Sequence, residues 1–246
     1  MAVTVKFCIA PLNKAIILQR FLSTIGAVIL SAILLTPGKF AWADGESGAE
    51  QLRQFVRNSK TAQGQFMQQQ LRPPRANEVQ DKGLKLVRQT QGNFVFQRPG
   101  RFVWETQKPY EQKLIADGKQ LILWDKDLNQ ATFRSAGQAL ATTPAAILFG
   151  ETSLDQHFEL EEGEERLGMK WVALVPKKNP NASKSDLPYT KISVGMANNL
   201  PKALELIDGL GSVVLVSLDN IQLNISLPSN SFTFTAPAGA EVLRLN

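Results

Sequence analysis

Arg98-Pro-Gly-Arg-Phe-Val-Trp-Glu105 is the stretch that decides the fold. Before it, residues 93–97 alternate Phe94 and Phe96 with Asn93, Val95 and Gln97. After it, Phe102 and Trp104 alternate with Arg101, Val103 and Glu105. A period of two sends successive side chains to opposite faces, so the four bulky aromatics share one face of two strands. Pro-Gly between them is turn chemistry: proline presets φ and glycine tolerates positive φ. The stretch predicts a β-hairpin with Arg98 at its corner. Two readings of Arg98 fit. Continued strand geometry aims it at the aromatic face, where a guanidinium needs acceptors; otherwise its stem snorkels over the edge of the core.

Outward from the hairpin the pattern is a meander. Upstream, 64–71 and 84–89 read as strands separated by Arg72-Pro-Pro-Arg75 and a polar connection. Ahead of them, Ser47 and Glu50 have capping-box spacing and Leu52, Phe55 and Val56 form a narrow apolar stripe, which predicts a helix lying on one side of a sheet. Downstream, short strands are expected at 113–116, 121–124 and 130–134, with tight turns at Asp117-Gly118 and 125–129. The rhythm breaks at 136–150, where the run 138–149 is rich in alanine and leucine, with Pro144 where a helix would begin, Thr143 as its cap and Gly150 just past its end. That is a small inserted helix, either a plug on the core or a movable lid. Strands return at 158–161, 170–176, 189–196, 203–208, 212–218 and 221–227, with Phe232-Thr-Phe234 close to the end. Ten or eleven antiparallel strands with two helical pieces predict a mainly β, α+β fold: an open, strongly curved sheet or incomplete barrel with helices on its concave side.

The first 43 residues read as a cleaved signal peptide. Lys6, Lys14 and Arg20 precede an apolar run over 21–35, and Ala41-Trp42-Ala43 is an A-x-A site with Asp44 following. The run is short for a membrane anchor. The expected organisation is a leader over 1–43 and one domain over 44–246. Removing Lys6, Lys14, Arg20 and Lys39 from 27 basic residues leaves 23 against 22 acidic ones, so the basic character belongs mostly to the leader and implies no nucleic acid. Cys8, the single cysteine, leaves as well. A domain of about 200 residues without disulfides rests on its own apolar core.

Catalytic patterns are missing. There is no G-x-S-x-G elbow, H-E-x-x-H, P-loop or Cys/His cluster. His157 is the only histidine and lies in a polar segment. The run Glu161-Glu-Gly-Glu-Glu165 reads as a solvated turn, and Asp125 and Asp127 as hairpin chemistry. The expectation is a binding protein that is not an enzyme and uses no cofactor or metal. An exported curved sheet with inward aromatics and an apolar helix suits an apolar ligand.

One family carries these features in order. Arg98-Pro-Gly-Arg-Phe102-x-Trp104, Pro109, Ala116-Asp-Gly-Lys119, Asp125-x-Asp-Leu-x-Gln130 and Phe232-x-Phe-x-x-Pro-x-Gly239 resemble LolA, the periplasmic carriers of outer-membrane lipoproteins. Gly64-x-Phe-x-Gln68 and Gly92-x-Phe94 add weaker matches. Trp124 departs from the tyrosine more usual there. The resemblance implies an incomplete antiparallel barrel closed by a short helical lid over an apolar cavity, acting in the periplasm as a monomer. It implies acylated lipoproteins as cargo, an inner-membrane ABC transporter as donor and an outer-membrane lipoprotein receptor as acceptor. It further implies that Arg98 bonds to lid backbone and that Phe102 lies at the lipid contact. Phe94, Phe96, Trp104 and Leu123 would line the cavity, with Pro144, Ala145, Ile147 and Leu148 in the lid. A lipoprotein- or lipid-sensing domain of the same fold is the alternative.

Overall fold

The computed structural model describes residues 46–78, 83–135, 148–149, 154–156, 158–177 and 188–245. The expected leader, the lid residues Pro144, Ala145 and Ile147, His157 and most of the polar loop before Pro188 lie outside them.

The first element, α1 (Gly48–Asn58), begins where the sequence places it. Ser47 is the N-cap, its Oγ accepting from the Glu50 backbone N–H at 3.3 Å. Leu52, Phe55 and Val56 are buried, as the stripe predicted. Two further start signals come from far along the chain: the Glu162 carboxylate accepts from the backbone N–H groups of Gly48 and Ala49 at 3.1 and 3.0 Å. A carboxylate at a helix N-terminus meets both its unpaired donors and its dipole. Glu162 therefore caps a helix, whereas its sequence context reads as a solvated turn.

Twelve strands follow among the described residues: β1 (Thr61–Arg72), β2 (Lys85–Gln97), β3 (Arg101–Lys108), β4 (Gln112–Asp117), β5 (Gln120–Asp125), β6 (Gln130–Ser135), β7 (Phe158–Glu162), β8 (Lys170–Pro176), β9 (Tyr189–Ala197), β10 (Leu200–Asp208), β11 (Val213–Leu223) and β12 (Glu241–Leu245). They form one open curled sheet in the order β12-β6-β5-β4-β3-β2-β1-β11-β10-β9-β8-β7. Two meanders, β1–β6 and β7–β11, are joined by the antiparallel β1–β11 ladder.

Three expectations need correction. Segments 84–89 and 93–97 are one strand, β2, because Gly92 absorbs a register slip against β3; a Cβ there would lie 1.8 Å from the Glu105 carbonyl oxygen. The strands expected at 212–218 and 221–227 are likewise one, β11, continued through Asn220 at φ +51°. Finally, β12 pairs with β6 in parallel, against an otherwise antiparallel succession.

The central hairpin is as expected. Gln97 pairs with Arg101 across the three-residue link Arg98-Pro99-Gly100, and Gly100 supplies φ +67°. Register places Phe94 opposite Trp104 and Phe96 opposite Phe102. These rings and α1 enter one core that also takes Val172, Ile192, Val194, Leu204 and Val216 from the second meander. The other face of β4–β6 buries Ile115, Ile122, Trp124 and Ala131. Phe234 covers that layer, 5.7 Å from Trp124 and 6.3 Å from Phe133 between ring centroids. The Phe232-Thr-Phe234 alternation thus seats rings on the back of the sheet.

Candidate functional site

The inner face of β1–β3 is an aromatic surface. Phe66 stacks on Trp104 with centroids 3.8 Å apart, and the Phe94 centroid lies 6.0 Å from that of Trp104. Two glycines make room for the stack. Phe94 lies over Gly64, where a Cβ would come within 2.6 Å of its ring, and Phe66 pairs with Gly92 across β1 and β2. Phe102 is fully buried in the same row as Phe96 and Ala116.

One ring from outside the sheet fills this surface. Phe149 is buried in a helical position and stacks on Phe96 at 4.5 Å and on Phe94 at 5.0 Å, with Trp104 at 6.5 Å. Stacked and tilted pairs at these separations add to the gain from burial itself. The rings expected to line the cavity, Phe94, Phe96 and Trp104, are covered by the chain's own Phe149.

Arg98 holds the neighbouring residue. Its Nη2 donates to the Leu148 carbonyl oxygen at 2.9 Å, while its own backbone N–H donates to the Lys60 carbonyl at 2.9 Å. The guanidinium carbon sits 5.0 Å from the Phe96 ring centroid and 5.6 Å from that of Phe55, within cation–π range of both. Of the two readings of Arg98, the inward one holds. A guanidinium that donates to a backbone carbonyl in this way satisfies a charge held against the aromatic surface.

Five of the expected site residues are therefore brought together: Arg98, Phe94, Phe96, Phe102 and Trp104, with Leu148 from the expected lid. Leu123 is not among them. It pairs with Leu114, which pairs with Trp104, so it shares their face; yet it is 42% exposed and outside the packed core. The sheet curls over α1 and Phe149 further along, and Leu123 lies beyond their cover. Phe66 and Phe149 are the residues that sequence reasoning passed over as site members. Phe66 had a signal in its period-two spacing from Gly64. Phe149 closed an apolar run, but the rings it meets are more than forty positions upstream.

A curled sheet with an aromatic inner surface, covered by one of its own rings and tied by an arginine, defines a class: a β-fold with a large apolar inner surface. The comparisons name the family. The model of the outer membrane lipoprotein carrier protein LolA matches residues 57–235, and the chain belongs to that family. It is similar to the outer-membrane lipoprotein carrier protein of Cupriavidus pinatubonensis, with 40% identity over 80% of this chain and 88% of that one. The carrier of Ralstonia nicotianae is also 40% identical, over 83% and 91%. Among solved structures, a LolA superfamily protein from Nitrosomonas europaea aligns with a TM-score of 0.44 and 12% identity, covering 77% of this chain and 98% of that one.

Proposed function

We propose that this protein is a periplasmic lipoprotein carrier, with a leader over 1–43 removed on export. It takes acylated lipoproteins released by an inner-membrane ABC transporter, shields their acyl chains on the aromatic surface, and hands them to an outer-membrane receptor. The single observation that carries the reading is the Phe149 ring on Phe94, Phe96 and Trp104 with Arg98 tied to the adjacent Leu148 carbonyl. In this role Phe149 stands in for the cargo and leaves the aromatic surface, with Leu148, when cargo enters.

Magnitudes make the exchange workable. A buried methylene is worth about 0.8 kcal/mol, so an acyl chain of about sixteen carbons gains roughly 10 kcal/mol. Displacing one phenylalanine costs about 2–3 kcal/mol, and breaking one charge-assisted hydrogen bond about 1.5–3 kcal/mol. Cargo wins over the stopper, while the stopper and tie together offset a large part of cargo affinity. That offset drives release to a receptor that lacks such a tie.

The test is a release assay. Spheroplasts bearing a radiolabelled lipoprotein are incubated with the chain from Asp44 onward. Label recovered in the soluble fraction as a complex with this protein is the expected result. Label that stays with the membrane while the protein is folded overturns the carrier reading in favour of a sensing domain.

A further inference from the structure

One end of the sheet carries a second apolar feature that the aromatic surface does not use. Leu210 is 85% exposed, Val87 60%, Leu86 54% and Leu84 48%. They converge by construction. Leu71 of β1 pairs with Leu86 on one side and Val213 on the other. The β10–β11 turn packs on the β1–β2 connection, since a Cβ on Gly211 would lie 3.4 Å from Pro73 Cγ.

Two local devices hold these side chains out. The register slips between Gln70 and Leu71, pairing them with Arg88 and Leu86 and leaving Val87 as the extra, bulged residue. In the β10–β11 turn the Asp208 carboxylate accepts from the backbone N–H groups of Leu210 and Ser212 at 2.8 and 2.9 Å, fixing Leu210 in a tight loop. A lone exposed leucine is ordinary. Four aliphatic side chains gathered at one sheet end are a patch of the kind that marks an interaction site.

The charges around the patch have one dominant sign. Arg72, Arg75, Lys85 and Arg88 belong to it, and Arg72 pairs with Lys85 directly across β1 and β2. Like charges placed opposite one another cost stability, so the sheet does not gain from this arrangement. The described carboxylates near these cations are engaged locally: Glu78 accepts from Arg72 at 2.7 and 2.9 Å, Asp208 closes its own turn, and Asp125, which feels the Arg88 charge, accepts from Leu128 and Gln112.

We infer that this end of the sheet docks on an anionic phospholipid bilayer. Leu84, Leu86, Val87 and Leu210 enter the boundary of headgroups and acyl chains, and the cations meet lipid phosphates. Apolar side chains combined with a basic rim are what interfacial binding requires. The Arg98 turn lies at the other end of β2, about 40 Å away at strand rise. The inference does not rest on lipoprotein carriage, and its test contains no lipoprotein.

The experiment is co-sedimentation of the chain from Asp44 onward with vesicles of phosphatidylcholine, with and without phosphatidylglycerol. Binding to the anionic vesicles only, weakened by salt, is expected. The triple variant Leu86→Ser, Val87→Ser, Leu210→Ser loses it, and Arg75→Gln and Arg88→Gln each weaken it about fivefold. These side chains are exposed, so an unchanged Tm shows that each variant is folded. Equal binding to neutral vesicles, no binding by the parent chain, or full binding by the triple variant overturns the inference.

Discussion

The Arg98 guanidinium and the Leu148 carbonyl, fifty residues apart in sequence, are joined at 2.9 Å. The arm is fixed at its base by the Arg98–Lys60 backbone bond, so its far end presents donors at a set place. In the proposed carrier role such a bond favours the covered, empty state without contributing to the apolar surface beneath it. Arg98→Leu therefore keeps a surface that accepts lipoprotein but removes about 1.5–3 kcal/mol from the closed state. The expected phenotype is a cargo-loaded protein that releases poorly to an outer-membrane acceptor. Transfer at the normal rate would sink the mechanism.

Phe149→Ala separates stopper from surface. Truncating a buried phenylalanine costs about 3–5 kcal/mol where the site does not collapse. Here it also uncovers Phe94 and Phe96. A lower urea midpoint together with stronger binding of an apolar fluorescent dye is expected. Destabilisation without a rise in dye binding would mark Phe149 as ordinary core.

Glu162→Ala tests the cap that reaches α1 from β7. Losing the carboxylate leaves the Gly48 and Ala49 donors without it, a cost of about 1 kcal/mol. For a domain of this size that lowers Tm by about 2–4 °C. Glu162→Gln, which keeps an acceptor but loses the charge, should recover part of the difference. A melting curve unchanged in Glu162→Ala would show that the helix start is held by Ser47 alone.

Glu78 sets an acid limit on the β1–β2 connection. Its bond to Arg72, then the Arg75 backbone N–H, hold the carboxyl down to about 2 from 4.5. A carboxyl lowered on folding contributes stability that is complete above pH 4.5 and is lost as pH falls through the folded value. Stability should thus decline between about pH 4.5 and 2, and Glu78→Gln should flatten that part of the profile. Because this carboxyl is partly open to solvent, added salt should shrink the effect. An identical acid profile in the variant would exclude it.

Much of the fold was legible because its signals are local. Period-two aromatics, Pro-Gly, Asp117-Gly118 and the Ser47 cap each act within a few residues. The misreadings also have local causes. Gly92 and Asn220 are residues that usually punctuate strands, and here they absorb register slips inside them. What escaped was set by distant partners: Glu162 on α1, β12 beside β6, Phe234 against Trp124. The site was legible to the same degree. Arg98 and the hairpin rings were visible in eight residues, whereas the closure by Phe149 and the exposure of Leu123 depend on how far the sheet curls.

The strand order has a consequence for how the chain is made. β1 lies at the middle of the sheet, yet one of its neighbours, β11, is among the last strands synthesised; Lys60 and Asn224, which bond across that seam, are 164 residues apart. Closing so long a loop is slow relative to forming adjacent hairpins. Until β11 arrives, the first meander presents an unpaired central edge, an open template for another chain. Folding yield should therefore depend on concentration, and holding that nascent edge apart from other copies is the step at which this chain is most vulnerable.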